Sequence, residues 1–503
     1  MDNTINDEYK VRKEKLEKLK KETIPFKDKY EDIEKLNTLS LKKDGEIMKI
    51  AGRVISKRSF GKFMFLNLYD TDGIAQISVA KQDLGENFDL FKKSIDIGDF
   101  IGINGEVYTT GTGVKTIKTL DGDLLSKALR PLPEKFHGLS DSDTKYRQRY
   151  LDIISNESTR DTFKKRIQII NDIKDYLRKN DFLEVETPIL QNVASGANAK
   201  PFITKHNSLD EDLYLRIAPE LYLKRVVESG FNRVFELGKN FRNEGMDSSH
   251  LQEFTMVEWY AAYWDYLKNM DFLEKMLQSV INDVNGDLNV VYQGNVFDFS
   301  KFEKINYSNV ISEALNTNIL DLKNVEDIKK IFKNNQLFAD EEIDNIKSVT
   351  NAIDLVFKKK VRPYLTQPTI LYQYPSYMIP LARRNDDDNR LIDMFQLVVN
   401  GWEISKCYSE LIDPEIQRET FEQQLLDKKN GDNESMSIDE DFILAMEHGM
   451  PPMSGLGLGI DRVVSILTDE PSLRDVVMFP QTKNPNQETK DSCKSKVLSL
   501  KKR

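Results

Sequence analysis

The sequence predicts an α+β fold in two parts, a small five-stranded barrel followed by a larger body that mixes strands and helices. Three observations predict it. Between Ile47 and about Leu125, short stretches alternate apolar and polar residues and are separated by glycines, the period-two signature of strands. From Arg160 the apolar spacing lengthens to that of a helix, which leads into a strand stopped by Pro188. Near the end, the glycine-rich strand Gly455–Gly459 runs into another helix.

Taken in order, residues 1–46 form an arm. Lys10 to Glu22 carry seven basic and three acidic side chains over a thin apolar stripe of Val11, Leu16 and Leu19. This predicts an exposed helix, either a solvated arm or an auxiliary RNA contact. Residues 47–137 follow as the barrel, with strands expected at Met48–Ile55, Phe63–Tyr69, Ala75–Val79, Phe100–Tyr108 and Val114–Leu120 and one short helical pattern near Phe88. That set suits an OB-type barrel. Arg53, Lys57, Arg58 and Lys62 lie close to Phe63 and Phe65, with Gln76 on the next strand. If the rings face outward, basic groups beside aromatics form a surface for unpaired bases. An aromatic on a strand more often faces the core, and the pattern leaves both orientations open.

A proline-containing link from Arg130 to Gly138 ends the barrel, and residues 138–480 form the body. Its expected elements begin with the helix Arg160–Asn180, the strand Phe182–Pro188 and a small-residue loop, Ala194–Ala197, where a ligand can approach the backbone. Next come the strand Leu213–Ile217, a helix opened by Pro219 and Glu220, and the helix Tyr266–Asn282. About 300–365 reads as a charged, mostly helical insertion that shapes a rim. Strands return at Thr369–Tyr377, Asp393–Glu403 and Tyr408–Leu411, followed by the helix Asp413–Lys429 and the polar loop Asn430–Ser437. Residues 481–503, rich in Lys, Asn and Ser, have the composition of a disordered tail.

Composition narrows the class. With 503 residues and 39% apolar content the chain has room for about three domains with buried cores. No run approaches the roughly 18 apolar residues of a membrane span, and the first thirty residues lack a signal-peptide core, which predicts a cytoplasmic protein with no membrane partner. Two cysteines, Cys407 and Cys493, and four histidines without ligand spacing support neither a disulfide framework nor a His/Cys metal site. The net charge of -10 requires that any nucleic acid be met by a local basic patch.

The chemistry centres on Phe241-Arg242-Asn243-Glu244. If the strand beginning near Asn232 continues through it, alternation puts Arg242 and Glu244 on one face. An Arg fork suits a phosphate or carboxylate, and a carboxylate two residues on can accept a hydrogen bond from an exocyclic amine. This pattern suits a nucleotide bound beside an acid. Gly455-x-Gly-x-Gly459 lacks dinucleotide-fingerprint spacing, and no Walker-type loop occurs. Arg462, in the first turn after those glycines, either lies against an adenine face or a terminal phosphate, or is structural.

Together, the helix and strand ending at Pro188, the strand with Phe-Arg-Asn-Glu, and Gly-Leu-Gly-Leu-Gly-Ile-Asp-Arg resemble motifs 1, 2 and 3 of the class II aminoacyl-tRNA synthetases. A barrel ahead of that core is the arrangement of the subgroup containing the lysyl, aspartyl and asparaginyl enzymes. The strings beginning at Leu215 (Leu-Arg-Ile-Ala-Pro-Glu-Leu-Tyr-Leu-Lys-Arg), Lys127, Tyr146 (Tyr-Arg-Gln-Arg-Tyr-Leu-Asp) and Pro380 (Pro-Leu-Ala-Arg) resemble the bacterial-type lysyl-tRNA synthetase family. The likeness runs from about Ile47 to Pro480.

The resemblance implies an antiparallel sheet core with flanking helices, ATP-dependent activation of L-lysine to lysyl-adenylate, and transfer to the 3′ end of tRNA(Lys). It also implies a homodimer built on residues 161–188 and a barrel that reads the anticodon through Arg58, Phe65 and Gln76. Arg242 and Arg462 take the catalytic roles, Arg242 holding the substrate carboxylate and the α-phosphate. Glu220 and the Gly196 carbonyl take the α-ammonium, while Glu258, Tyr260 and Glu410 take the ε-ammonium. Glu244 meets the adenine amine, Phe254 and Arg462 flank the ring, His250 lies at the phosphate end, and Glu403 with Glu410 holds Mg²⁺. The residues give an independent reason for a cationic guest, because Glu220, Glu258 and Glu410 in one apolar-walled site repel one another without one.

Three positions depart from the family pattern. Ser249 stands where an Arg is expected near the γ-phosphate. Gln396 replaces a metal-binding Glu, so one Mg²⁺ is either held more weakly or bound through a carbonyl oxygen. Lys406 stands where an Asn contacts the substrate carboxylate. Four residues from Glu410 on one strand face, it either binds that carboxylate or neutralises Glu410.

Overall fold

The computed structural model describes residues 2–133, 142–197, 199–322, 324–429 and 438–482. The 430–437 loop, the tail beyond 482, His137 and Cys493 lie outside the described residues. The chain divides into two compact units, Met1–Asp141 with Tyr150–Asn156, and Ser142–Arg149 with Glu157–Arg503.

The first unit is a closed barrel of Ile47–Phe60, Phe63–Tyr69, Ile74–Ala80, Phe100–Thr109 and Lys115–Ser126. The first strand pairs antiparallel with the fourth, and the third pairs parallel with the fifth. The first strand runs past Ile55 after a register shift between Val54 and Ser56. Such a bulge lets one strand bend from the barrel wall into an exposed extension. Met64, Leu66 and Leu68 are fully buried, so parity turns Phe63 and Phe65 outward and excludes the core orientation. Their ring centroids lie 4.8 Å apart, edge to face.

The helix Asp2–Leu19 belongs to this unit. Leu16 and Leu19 are buried, Arg12 donates to the Ile97 carbonyl at 2.9 Å, and Lys15 pairs with Asp96 at 2.6 Å. Arg12 takes the inward place expected of Val11, which is exposed. The arm is therefore docked rather than wholly solvated.

The second unit is built on an eight-stranded sheet. From edge to edge its strands are Glu303–Asn306, Thr369–Pro375, Leu391–Val399, Trp402–Ser409, Met453–Gly459, Glu253–Ala262, Arg233–Phe241 and Leu183–Glu184. The six inner strands are antiparallel, and the two edge strands run parallel to their neighbours. Alternation along Glu253–Ala262 sends Val257, Trp259 and Ala261 into a core under the helices Glu157–Lys179 and Tyr266–Asn285. Glu258 and Tyr260 point to the opposite face.

Local differences from the sequence reading have physical reasons. The strand ahead of Pro188 is only Leu183–Glu184, and the chain beyond the proline joins a separate three-stranded sheet at Leu190–Gln191. The insertion is not purely helical, because Glu303–Asn306 supplies a sheet edge before the helices begin at Tyr307. The strand bearing the Phe-Arg-Asn-Glu sequence stops at Phe241, so Arg242 and Glu244 lie in the loop beyond it. Asn400 and Gly401, with φ of 49° and 71°, make the two-residue turn between Leu391–Val399 and Trp402–Ser409. That hairpin sets Gln396 directly opposite Lys406.

Candidate active site

The sheet face opposite the long helices carries a cavity of about 300 Å³. Its floor is made of cross-strand rows. Glu258, Gly457, Lys406 and Gln396 form one row, and Tyr260, Gly455, Tyr408 and Met394 the next. The glycines keep the floor open. A Cβ at Gly455 would collide with the Tyr260 ring and the Glu410 carboxylate. Gly196, at φ 89°, brings bare backbone to the same cavity.

One end is acidic. Glu220, the first residue of the helix Glu220–Glu228, accepts from the Tyr408 hydroxyl at 2.7 Å on each oxygen and from Lys224 at 2.8 Å. Lys224 is fully buried and also pairs with Glu410 at 2.5 Å. Burial works against its charge, but Glu220 and Glu410 outweigh it and raise its pKa. Lys224 therefore holds the place at Glu410 proposed for Lys406, which forms no ion pair among the described residues. The three carboxylates are also partly compensated by the chain itself, not left wholly to a guest. Lys224 and Tyr408 are the residues missed by sequence reasoning. The i,i+4 spacing of Glu220 and Lys224 and the shared parity of Tyr408 and Glu410 were the available signals.

Compensation is incomplete. Burial, followed by the charge of Glu220, pushes Glu258 up to about 8, although Tyr260, Arg242 and Arg216 oppose the shift. The Tyr260 hydroxyl lies 3.3 Å from Glu258 Oε2. Burial lifts Glu410 well above the carboxylate range despite Lys224, and its Oε1 is buried without a hydrogen-bond partner. Such an orphan costs about 1–3 kcal/mol unless a donor meets it.

The other end is cationic and more open. Arg242 continues the strand pairing by one bond, its N–H donating to the Gln252 carbonyl at 2.9 Å. Its guanidinium lies 5.1 Å from the Phe254 ring centroid, and its buried Nε has no hydrogen-bond partner. Arg462 donates to the Glu403 backbone carbonyl at 2.5 Å. Glu244 is exposed at the cavity edge. In the same loop, against the effect of burial, hydrogen bonds from His250 and Ser249 hold Asp247 at about 2. His250 Nδ1 lies 2.9 Å from the Asp247 carboxylate, so an anchored imidazole stands beside the position that lacks an Arg.

Of the expected metal ligands, Gln396 and Glu403 lie side by side, while Glu410 is paired with Lys224. Among the described residues no group of three His, Cys, Asp or Glu could hold an ion. Glu410 is engaged with Lys224, and the Gln396 amide is used at both ends. Its Oε1 accepts from the Tyr374 hydroxyl at 2.6 Å, and its Nε2 donates to Glu403 Oε2 at 2.9 Å. Glu403 is the one of the three that is exposed at the cavity. One carboxylate fits a Mg²⁺ that takes its remaining ligands from phosphates and water.

On the barrel, Arg58 is exposed opposite Phe65, and Gln76 lies on the neighbouring strand, facing the same side. Gln76 accepts from the Thr116 hydroxyl at 2.9 Å. Lys57 is occupied by the carbonyls of Phe91, Lys92 and Ile95, and Arg53 lies 4.2 Å over the Phe100 ring. These two basic groups are structural, whereas Arg58 and Lys62 are exposed.

Comparison with known proteins gives the same architecture. The family described as tRNA synthetases class II (D, K and N) matches residues 141–483, and an OB-fold nucleic acid binding domain matches residues 48–121. The chain is similar to the lysine-tRNA ligase of Pediococcus pentosaceus, 44% identical over 493 residues, covering 95% of this chain and 98% of that one. It is 42% identical to the lysine-tRNA ligase of Enterococcus faecalis, covering 95% and 97%, and 44% identical to that of Clostridium novyi, covering 95% of each. The chain belongs to the lysine-tRNA ligase family of class II aminoacyl-tRNA synthetases.

Proposed function

We propose that this protein activates L-lysine with ATP and transfers it to the 3′ end of tRNA(Lys), working in the cytoplasm as a homodimer. The observation that carries the choice of lysine is a pair of orphaned groups, Arg242 Nε at the cavity wall and Glu410 Oε1, buried behind the cavity-lining Gly455 and next to the acidic end formed by Glu220 and Glu258. They call for a guest with an anionic and a cationic end. Glu258 and Tyr260 join Glu410 around the ε-ammonium, and Glu220 with the Gly196 carbonyl takes the α-ammonium. A neutral side chain leaves the buried acids unpaired, and an acidic one repels them.

Arg242 positions the lysine carboxylate beside the α-phosphate. Phe254 and Arg462 flank the adenine, Glu244 accepts from its amine, and His250 faces the phosphate end. Mg²⁺, when bound at Glu403, neutralises phosphate charge. The lysine carboxylate oxygen attacks the α-phosphorus in line and pyrophosphate leaves. A terminal ribose hydroxyl of tRNA then attacks the adenylate carbonyl and AMP departs. Positioning and charge stabilisation suffice, and no side-chain nucleophile is needed.

Phe65, Arg58 and Gln76 form a stacking and hydrogen-bonding surface suited to an unpaired anticodon. A dimer is supported by Ile167, Leu190, Ile203 and Leu209, each at least half exposed on the second unit. No described helix is long and apolar enough to cross a membrane. Charging of tRNA(Lys) transcripts with labelled lysine tests this function, and lysyl-tRNA is the expected product. Charging with aspartate or asparagine instead would overturn it.

A further inference from the structure

Lys406 is unusual among the cations of the cavity. It lines the cavity half-buried on an inner strand, and its ammonium forms no ion pair or hydrogen bond among the described residues. Arg462, by contrast, is tied to the Glu403 carbonyl. Lys406 lies three residues from Glu403, the carboxylate assigned to Mg²⁺, and directly across from Gln396. The Gln396 amide bridges Tyr374 and Glu403, so this neighbour is neutral and unavailable as an anion. Glu258, across Gly457 in the same row, is taken up by the lysine ammonium, which leaves one free ammonium and one carboxylate, Glu403, for the nucleotide, too little negative charge to gather a second divalent ion. A polyanion bound there has to be neutralised by the protein. Arg242 already offers its free Nε at the junction with the amino acid.

We propose that Lys406 is a resident cation for the phosphates of ATP, taking over charge neutralisation that a second divalent ion would otherwise supply. The inference rests on the nucleotide reading of the cavity and deepens it. ATP binding by this chain should consequently depend weakly on divalent ions. An ammonium held in the site also needs no divalent ion to be recruited along with each nucleotide.

Titration calorimetry of the full-length protein with ATP, in EDTA and in Mg²⁺, tests this without relying on turnover. The wild-type protein should bind ATP in EDTA within about tenfold of its affinity in Mg²⁺. Lys406→Met should weaken binding in EDTA on the order of tenfold or more, the loss expected for one charge-assisted contact. It should leave the lysine dissociation constant within about twofold, and Lys406→Arg should restore most of the ATP affinity. The double variant Lys406→Asn, Gln396→Glu should regain ATP affinity only when Mg²⁺ is added. A Lys406→Met variant that folds with an unchanged melting temperature and unchanged ATP affinity in EDTA overturns the proposal. So does one that loses lysine affinity instead, which assigns Lys406 to the amino-acid carboxylate. Failure of lysine-dependent tRNA charging with ATP binding intact would count against the proposed function and leave this inference standing.

Discussion

Glu258 links the cavity's electrostatics to a measurable pH dependence. Its pKa of about 8 leaves it mostly protonated at pH 6.5, so a bound ammonium must expel that proton. Lysine affinity is expected to rise by up to about tenfold per pH unit below pH 8 and to flatten above it. Calorimetry in buffers of different ionisation enthalpy should show proton release at pH 6.5 that fades by pH 9, and a flat profile would contradict the assignment. The raised pKa also means that the folded state holds the proton more tightly than the unfolded chain. The contribution of Glu258 to stability is therefore greatest below the ordinary carboxyl range and declines as pH rises through about 8. Lys224 is the complementary case. Lys224→Met leaves Glu220 and Glu410 uncompensated and should cost about 3 kcal/mol or more, seen as a lower melting temperature in the unliganded protein. Arg242, Glu258 and Glu410 were singled out through the family resemblance, and the first two line the cavity, while Glu410 lies buried behind Gly455. Lys224 was passed over because a Lys in an amphipathic helix ordinarily faces water, and only the two acids that meet it in space reveal its burial.

At the scale of elements, spacing identified every barrel strand, since each has seven or more residues, enough to show strand patterning even where the alternation is broken, as it is outside Phe63–Tyr69. It overran one parallel edge of the large sheet, expected as Phe182–Pro188 but only Leu183–Glu184, and missed the other. Glu303–Asn306 has four residues, too few to show a period. Alternation also settled what composition had left open, because burial of Met64, Leu66 and Leu68 commits Phe65 to the outer face. Phe65→Ala should therefore weaken tRNA(Lys) charging by about 1–3 kcal/mol of anticodon stacking while sparing lysine-dependent pyrophosphate exchange. Equal losses in both assays would place Phe65 in the folding of the barrel rather than in recognition.

At the scale of the whole molecule, the acidic chain keeps exposed Arg58 and Lys62 on the barrel and its acid cluster deep in the second unit. The half-exposed Ile167, Leu190, Ile203 and Leu209 predict a dimer by sedimentation, with Leu190→Glu shifting the equilibrium toward monomer. The central claim is that the cavity running from Arg242 to the acidic end at Glu220 and Glu258 selects lysine. Amino-acid-dependent exchange of labelled pyrophosphate into ATP, run with each amino acid in turn, tests it most directly. Lysine should support exchange at least about a hundredfold faster than aspartate or asparagine, as expected when a mismatched guest leaves buried polar partners unpaired. Exchange with aspartate or asparagine and none with lysine would contradict it.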